Sequence, residues 1–151
     1  MKKFVFSLQT LLNLRESVEK EQKNKLQAIQ TELHGMRQDL YRLQEQKQQA
    51  VTAYLQECEE GITTSRMKEY HAFFETMEKR IEEQKKAIKD TEKKEEQQKQ
   101  LVIHAMKQRK ILENLREKHC RQYLLEEQAK EQKRLDELAA QRAGHGMEVF
   151  S

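Results

Sequence analysis

The chain has no proline, no tryptophan and only four glycines in 151 residues. At the ordinary frequency of about 5%, roughly seven or eight prolines would be present. Proline locks φ and removes a backbone donor, so its absence leaves nothing to interrupt a very long helix. Long apolar runs are missing as well. The longest are three residues, such as Leu101-Val102-Ile103, far short of the roughly 18 that a membrane span requires. Cysteine is scarce: Cys58 and Cys120 stand alone. In a chain that turns near Gly61 they fall at opposite ends, beyond the Cα separation of about 7 Å that a disulfide tolerates. Two unpaired thiols suit a reducing cytoplasm. The opening Lys3-Phe4-Val5-Phe6 starts like a secretory leader, but Gln9, Thr10, Asn13, Arg15 and Glu16 break the apolar core it would need. The expectation is a cytoplasmic protein without a transmembrane segment.

What the chain does have is charge. Charged and hydrophobic residues make up 36% each, and the mean hydropathy is −1.06. A compact domain is about 45–50% apolar, so a thick core is excluded. There is enough apolar material for a narrow seam between two helices, which buries only two positions per heptad. The net charge is +3, unevenly spread: residues 1–25 carry +3 and 99–121 carry +5, leaving −5 for the rest.

The apolar residues are periodic. Leu8, Leu12, Arg15, Glu19, Gln22, Leu26, Ile29, Leu33, Met36, Leu40, Leu43, Lys47, Ala50 and Tyr54 follow one another by alternating steps of four and three. From Leu26 to Leu43 every such position is apolar, the pattern of a coiled coil. Ser7 is the expected N-cap, with Phe6 and Leu11 as the flanking hydrophobic pair. Gly61 can take the left-handed conformation that ends a helix, and Thr63, or neighbouring Thr64 or Ser65, can cap the next one. The second helix starts with Met67, Tyr70, Phe74, Met77, Ile81 and Ile88, then loses its stripe, because Lys89–Gln100 contains no apolar residue. Ion pairs such as Asp90→Lys94 and Glu95→Lys99 would support it there, each worth about 0.2–0.5 kcal/mol. Glu16→Lys20, Glu19→Lys23, Glu21→Lys25 and Glu82→Lys86 extend the same device elsewhere.

These features predict an all-α protein: two long helices in one antiparallel coiled-coil hairpin spanning 1–151. Helix one covers about 7–60, the turn 61–64 and helix two 65–142, with a flexible tail over 143–151. If the turn centres on Ile62, residues whose numbers sum to about 124 face one another. The second helix then overruns the first beyond about Tyr123.

No catalytic constellation is present, whether a glycine-rich phosphate loop, GxSxG or HExxH. The five histidines are scattered, with no i, i+4 pair to hold a metal. A non-enzyme without metal, cofactor or small-molecule ligand is the expectation. The basic stretch offers Lys107, Arg109, Lys110, Arg116, Lys118 and Arg121 for docking on an acidic surface. No aromatic residue interleaves with them, so base stacking is not supported and nucleic acid is disfavoured.

Two stretches carry a resemblance. Lys3-Phe4-Val5-Phe6-Ser7-Leu8-Gln9-Thr10-Leu11-Leu12-Asn13-Leu14-Arg15-Glu16 is similar to the opening of the flagellar FliJ family. Gly61-Ile62-Thr63-Thr64-Ser65-Arg66-Met67-Lys68-Glu69-Tyr70, continuing through Phe73, Met77 and Ile81, resembles its turn and second-helix start. The resemblance implies a soluble, non-catalytic component of the flagellar type III export apparatus, serving flagellum biogenesis and so chemotaxis. It implies a hairpin like the central stalk of rotary ATPases, associated peripherally with the inner membrane at the flagellar base. The implied partners are the export ATPase hexamer, whose activity the family promotes, the cytoplasmic domain of the export gate, and export chaperones. Carried onto this chain, the gate-facing positions are Leu43, Phe73 and Met77. Gln46 and Ala50 stand where relatives can carry aromatic residues. By the stalk comparison, the paired termini would enter the ATPase ring, with Leu8, Leu11, Leu12, Arg109, Arg116 and Arg121 in contact. Two other readings stay open: a structural parallel coiled-coil dimer in which Gly61 is incidental, and a basic nucleic-acid binder.

Overall fold

A computed structural model describes residues 3–150, the side chains of 147–150 excepted. Met1, Lys2 and Ser151 lie outside the described residues, and with them the last residue of the expected tail. Among the described residues two helices account for the fold: α1, Gln9–Glu60, and α2, Thr64–Phe150. They pack against each other as an all-α helical hairpin.

The reversal rests on two neighbouring devices. Gly61 has φ 99°, the left-handed conformation that a side chain would oppose. Two residues on, the Thr63 hydroxyl accepts from Arg66 N–H at 3.2 Å, and the Thr63 carbonyl accepts from Met67 N–H at 3.0 Å. Thr63 is therefore the N-cap of α2, one of the three candidates that the sequence offers.

The other ends differ from expectation. α1 starts two residues after Ser7. Its first turn is closed by Gln9 N–H donating to the Phe6 carbonyl at 3.1 Å, and the Leu8 carbonyl accepts the first helical bond, from Leu12 N–H at 2.9 Å. The shifted start carries Leu12, not Leu11, to the buried position beside Phe6, where both meet Leu112 of α2. At the far end α2 does not stop near 142 but runs through Gly144 and Gly146 to Phe150. Glycine ends a helix by adopting positive φ, and among the described residues only Gly61 does so.

The chain divides into two compact units, 20–104 and 1–19 with 105–151. In the 20–104 unit the seam follows the predicted register, with Leu33 and Met77 each 1% exposed. Cross-helix partners such as Gln22 with Gln98, Lys47 with Glu78 and Arg37 with Glu92 have numbers summing to 120–129, around the expected 124. The seam does not lapse where the apolar residues do. Thr91 and Gln98 are buried and Glu95 half-buried, each at a 3–4 spacing from its seam neighbours. Gln98 Nε2 donates to the Gln22 carbonyl at 3.0 Å and to Gln22 Oε1 at 2.7 Å. Gln84 Nε2 donates to the Met36 carbonyl at 2.9 Å. A buried amide that keeps its hydrogen bonds avoids a desolvation cost of about 1–3 kcal/mol, so polar side chains can continue the seam. The pairs Glu21–Lys25 and Glu95–Lys99 form at 3.3 Å, whereas Glu82 reaches Lys85 at 3.9 Å.

In the 1–19 and 105–151 unit, Phe6, Leu12 and Leu112 form the core, with Phe4 and Leu115 packed against it. Every side chain from Gln128 to Gly146 is exposed. This is the expected overrun of α2.

Seam burial sets a stability expectation. Leu33→Ala should lower unfolding free energy by about 2–5 kcal/mol, by lost transfer energy and a residual cavity. Tyr41→Ala, at an exposed position, should stay within about 0.5 kcal/mol. Urea unfolding followed by circular dichroism measures both, and equal losses would contradict the seam.

Candidate functional site

Because the helices enclose little beyond their seam, function must be sought on their surfaces. Among the described residues no group of three or more His, Cys, Asp or Glu side chains could hold a metal ion, and no helix is long and apolar enough to cross a membrane.

In the 1–19 and 105–151 unit, the six residues expected to meet an ATPase ring divide by burial. Leu12 is 3% exposed and belongs to the core, while Leu8 and Leu11 reach the surface. The three arginines differ too. Arg109 is tied by Nε to Glu19 and by a 2.7 Å bond from Nη1 to Glu113 Oε2. Glu19 is a buried seam residue, so this ion pair crosses between the helices. The Glu19 bond, then the Glu113 bond, raises the Arg109 pKa above its usual value. Arg116 Nε donates to Gln9 Oε1 at 3.0 Å, and its guanidinium lies 6.0 Å from the Phe4 ring centre. Arg121 is exposed and paired with Glu117 one turn back. Arg109 thus serves the packing of the helices, whereas the Arg121 side chain is 74% exposed. Sequence reasoning took Glu19 as a seam position without finding its partner. The signal was there: a carboxylate at a seam position requires a cation from the opposite helix.

In the 20–104 unit the three expected gate-facing residues also separate. Met77 is in the seam and Leu43 is half-buried, whereas Phe73 is 41% exposed. Phe73 and Phe74 cannot both face inward. Phe74 turns in, packing against Tyr54 at 5.7 Å, Tyr70 at 6.0 Å and His71 at 6.3 Å between ring centres. Phe73 is left outside, 6.4 Å from Phe74. The Tyr54 hydroxyl lies 3.5 Å from His71 Nε2, and the nearby Cys58 thiol, with some burial, raises its pKa.

Beside these rings, Glu57 accepts from Arg66 Nε at 3.2 Å and from the Tyr70 hydroxyl at 2.8 Å. The Arg66 bond first, and the Tyr70 bond second, hold the Glu57 carboxyl below its usual range. The same bond pushes the Tyr70 hydroxyl up. Arg66 also lies 4.8 Å from the Tyr70 ring centre. The network joins the end of α1 to the start of α2 across the turn. Periodicity does not reveal it, because Glu57 and Arg66 are ordinary charged residues until the chain reverses.

The family model described as "Flagellar FliJ protein" matches residues 4–148. No curated protein and no solved structure matches the chain. A match over nearly the full length settles the family: this chain belongs to the flagellar FliJ family.

The Glu57 shift gives a pH dependence. A depressed folded-state pKa means that the stabilisation is present above the unfolded value, about 4.3, and is lost as pH falls through the folded value. Thermal melts of the native chain should therefore drop on acidification below about pH 4.3, and Glu57→Gln should flatten part of that slope. An unchanged slope in the variant would remove Glu57 from this role.

Proposed function

We propose that this protein is a non-catalytic component of the flagellar type III export apparatus that binds the export ATPase ring and stimulates its turnover. It also contacts the cytoplasmic domain of the export gate and escorts export chaperones. The observation that carries the reading is the family match over residues 4–148, and the helical hairpin agrees with it. The unit that pairs the start of α1 with α2 beyond Ala105 is the ring-facing part. There Leu8 and Leu11 offer exposed apolar side chains around the start of α1, in the unit whose α2 segment is basic. Stimulation needs no catalytic group from this chain, because a ligand that prefers one subunit conformation shifts its population by that difference in affinity. The gate-facing part is the 20–104 unit, through Phe73 with Leu43. Met77 acts from the seam, holding the helix that carries Phe73. Localisation at the flagellar base, on the cytoplasmic side of the membrane, follows from those partners.

Turnover of the purified export ATPase should rise on adding the full chain. Leu8→Glu with Leu11→Glu should raise the concentration needed for half-maximal stimulation by about tenfold, equivalent to about 1.4 kcal/mol. Turnover indifferent to the protein would defeat the ATPase role. Phe73→Ala should weaken binding to the gate domain by about tenfold or more, the range of an interface anchor. Unchanged gate affinity would remove Phe73 from that interface.

A further inference from the structure

The basic stretch of α2 contains two kinds of cation. Arg109 and Arg121 are paired with carboxylates, and Arg116 is held by Gln9. Lys107, Lys110 and Lys118 are exposed and have no ion-pair partner among the described residues. The three lysines also share a direction. Steps of three, four and seven residues stay on one side of a helix with 3.6 residues per turn. Lys110 and Ile111 stand three and four residues after Lys107, Lys118 seven after Ile111, and Arg121 and Leu125 three and seven after Lys118. The buried Ala105 and Leu112 mark the opposite side, toward α1. Ile111 is 60% and Leu125 65% exposed. No carboxylate belongs to the stripe, and the flanking Glu113 and Glu117 are taken up by Arg109 and Arg121.

The stripe is periodic. The pair Lys107 and Lys110 recurs as Lys118 and Arg121, eleven residues on. Eleven residues make just over three turns, so the pairs stay nearly in line, about 16 Å apart by helical rise. One large apolar side chain accompanies each pair. Charge complementarity calls for an acidic partner, and the remaining features select its class. A lipid surface is held by a broad apolar face, but along this side of the unit the exposed large apolar residues, Ile111 and Leu125, stand fourteen apart. Single-stranded nucleic acid is held by aromatic platforms, and the stripe has none.

We propose that this outward stripe of α2 docks on an acidic protein surface bearing two groups of carboxylates about 16 Å apart, each beside an apolar contact for Ile111 or Leu125. The proposal rests on the reading of this unit as the ATPase-facing part and deepens it. The unpaired lysines of the outer face meet the partner, while Arg109 holds the helices together.

The test uses the full-length chain and the purified export ATPase hexamer on a sensor surface. Lys107→Glu with Lys110→Glu and Lys118→Glu should weaken binding on the order of 100-fold, since like charges then face each other. A matched control, Lys86→Glu with Lys93→Glu and Lys94→Glu on exposed positions of the other unit, should bind within about threefold of the native chain by the usual near-neutrality of remote surface changes. Association should slow with added salt in the native chain and in the control, but not in the stripe variant. Should charge reversal reduce helicity by circular dichroism, the three Lys→Gln changes replace it, with a loss of about tenfold expected. If the native chain binds and the stripe variant binds equally well, the stripe is overturned while the ATPase reading stands. A native chain that does not bind the hexamer overturns both. Vesicles of equal phosphatidylglycerol and phosphatidylcholine, and a DNA duplex, complete the comparison. A stripe-dependent affinity for either that exceeds the affinity for the hexamer also overturns the proposal.

Discussion

A seam only one side chain deep governs this molecule. Two helices that touch along a 3–4 spaced line bury two positions per heptad and expose the rest. Hydrophobic stabilisation scales with the apolar area removed from water, so the few large side chains inside, such as Leu33 and Met77, carry much of the fold. Among the described residues little interior remains beyond the seam. Surface recognition is what such a scaffold can do, and membership of a flagellar family fits that constraint.

The polar side chains in the seam have a physical role. A uniform apolar seam discriminates poorly between registers, because a slip of one heptad replaces one leucine by another. Gln98 bonds both the backbone and the side chain of Gln22, and Arg109 bridges Glu19 and Glu113. A slipped pairing would leave these groups buried without partners, which costs more than the bonds themselves contribute. The stretch Lys89–Gln100 is thus polar without being unpaired. Register is held where grease is absent.

Arginine and lysine divide the labour near the basic end. The planar, five-donor guanidinium suits fixed bonds to carboxylates, and the flexible ammonium remains a solvated point charge. Accordingly Arg109, Arg116 and Arg121 bond within the fold, while Lys107, Lys110 and Lys118 face solvent. Counting positive charges in the sequence merges these two sets. Their chemistry separates them once bonding partners are known.

The sequence by itself determined the helices, the reversal and most of the seam. Its 3–4 spacing, the absence of proline and the pair Gly61 and Thr63 are local signals, governed by backbone sterics and capping within a few residues. The later start of α1 and the continuation of α2 through Gly144 and Gly146 were not legible, because a cap or a glycine stop is realised only if the local φ and neighbouring contacts select it. The candidate surfaces were legible as regions but not as residues. Which of Phe73 and Phe74 turns inward, which of Leu11 and Leu12 meets Phe6, and which cations are already paired were decided by the opposite helix. Those outcomes depend on distances between residues far apart in the chain, which periodicity along one helix does not encode.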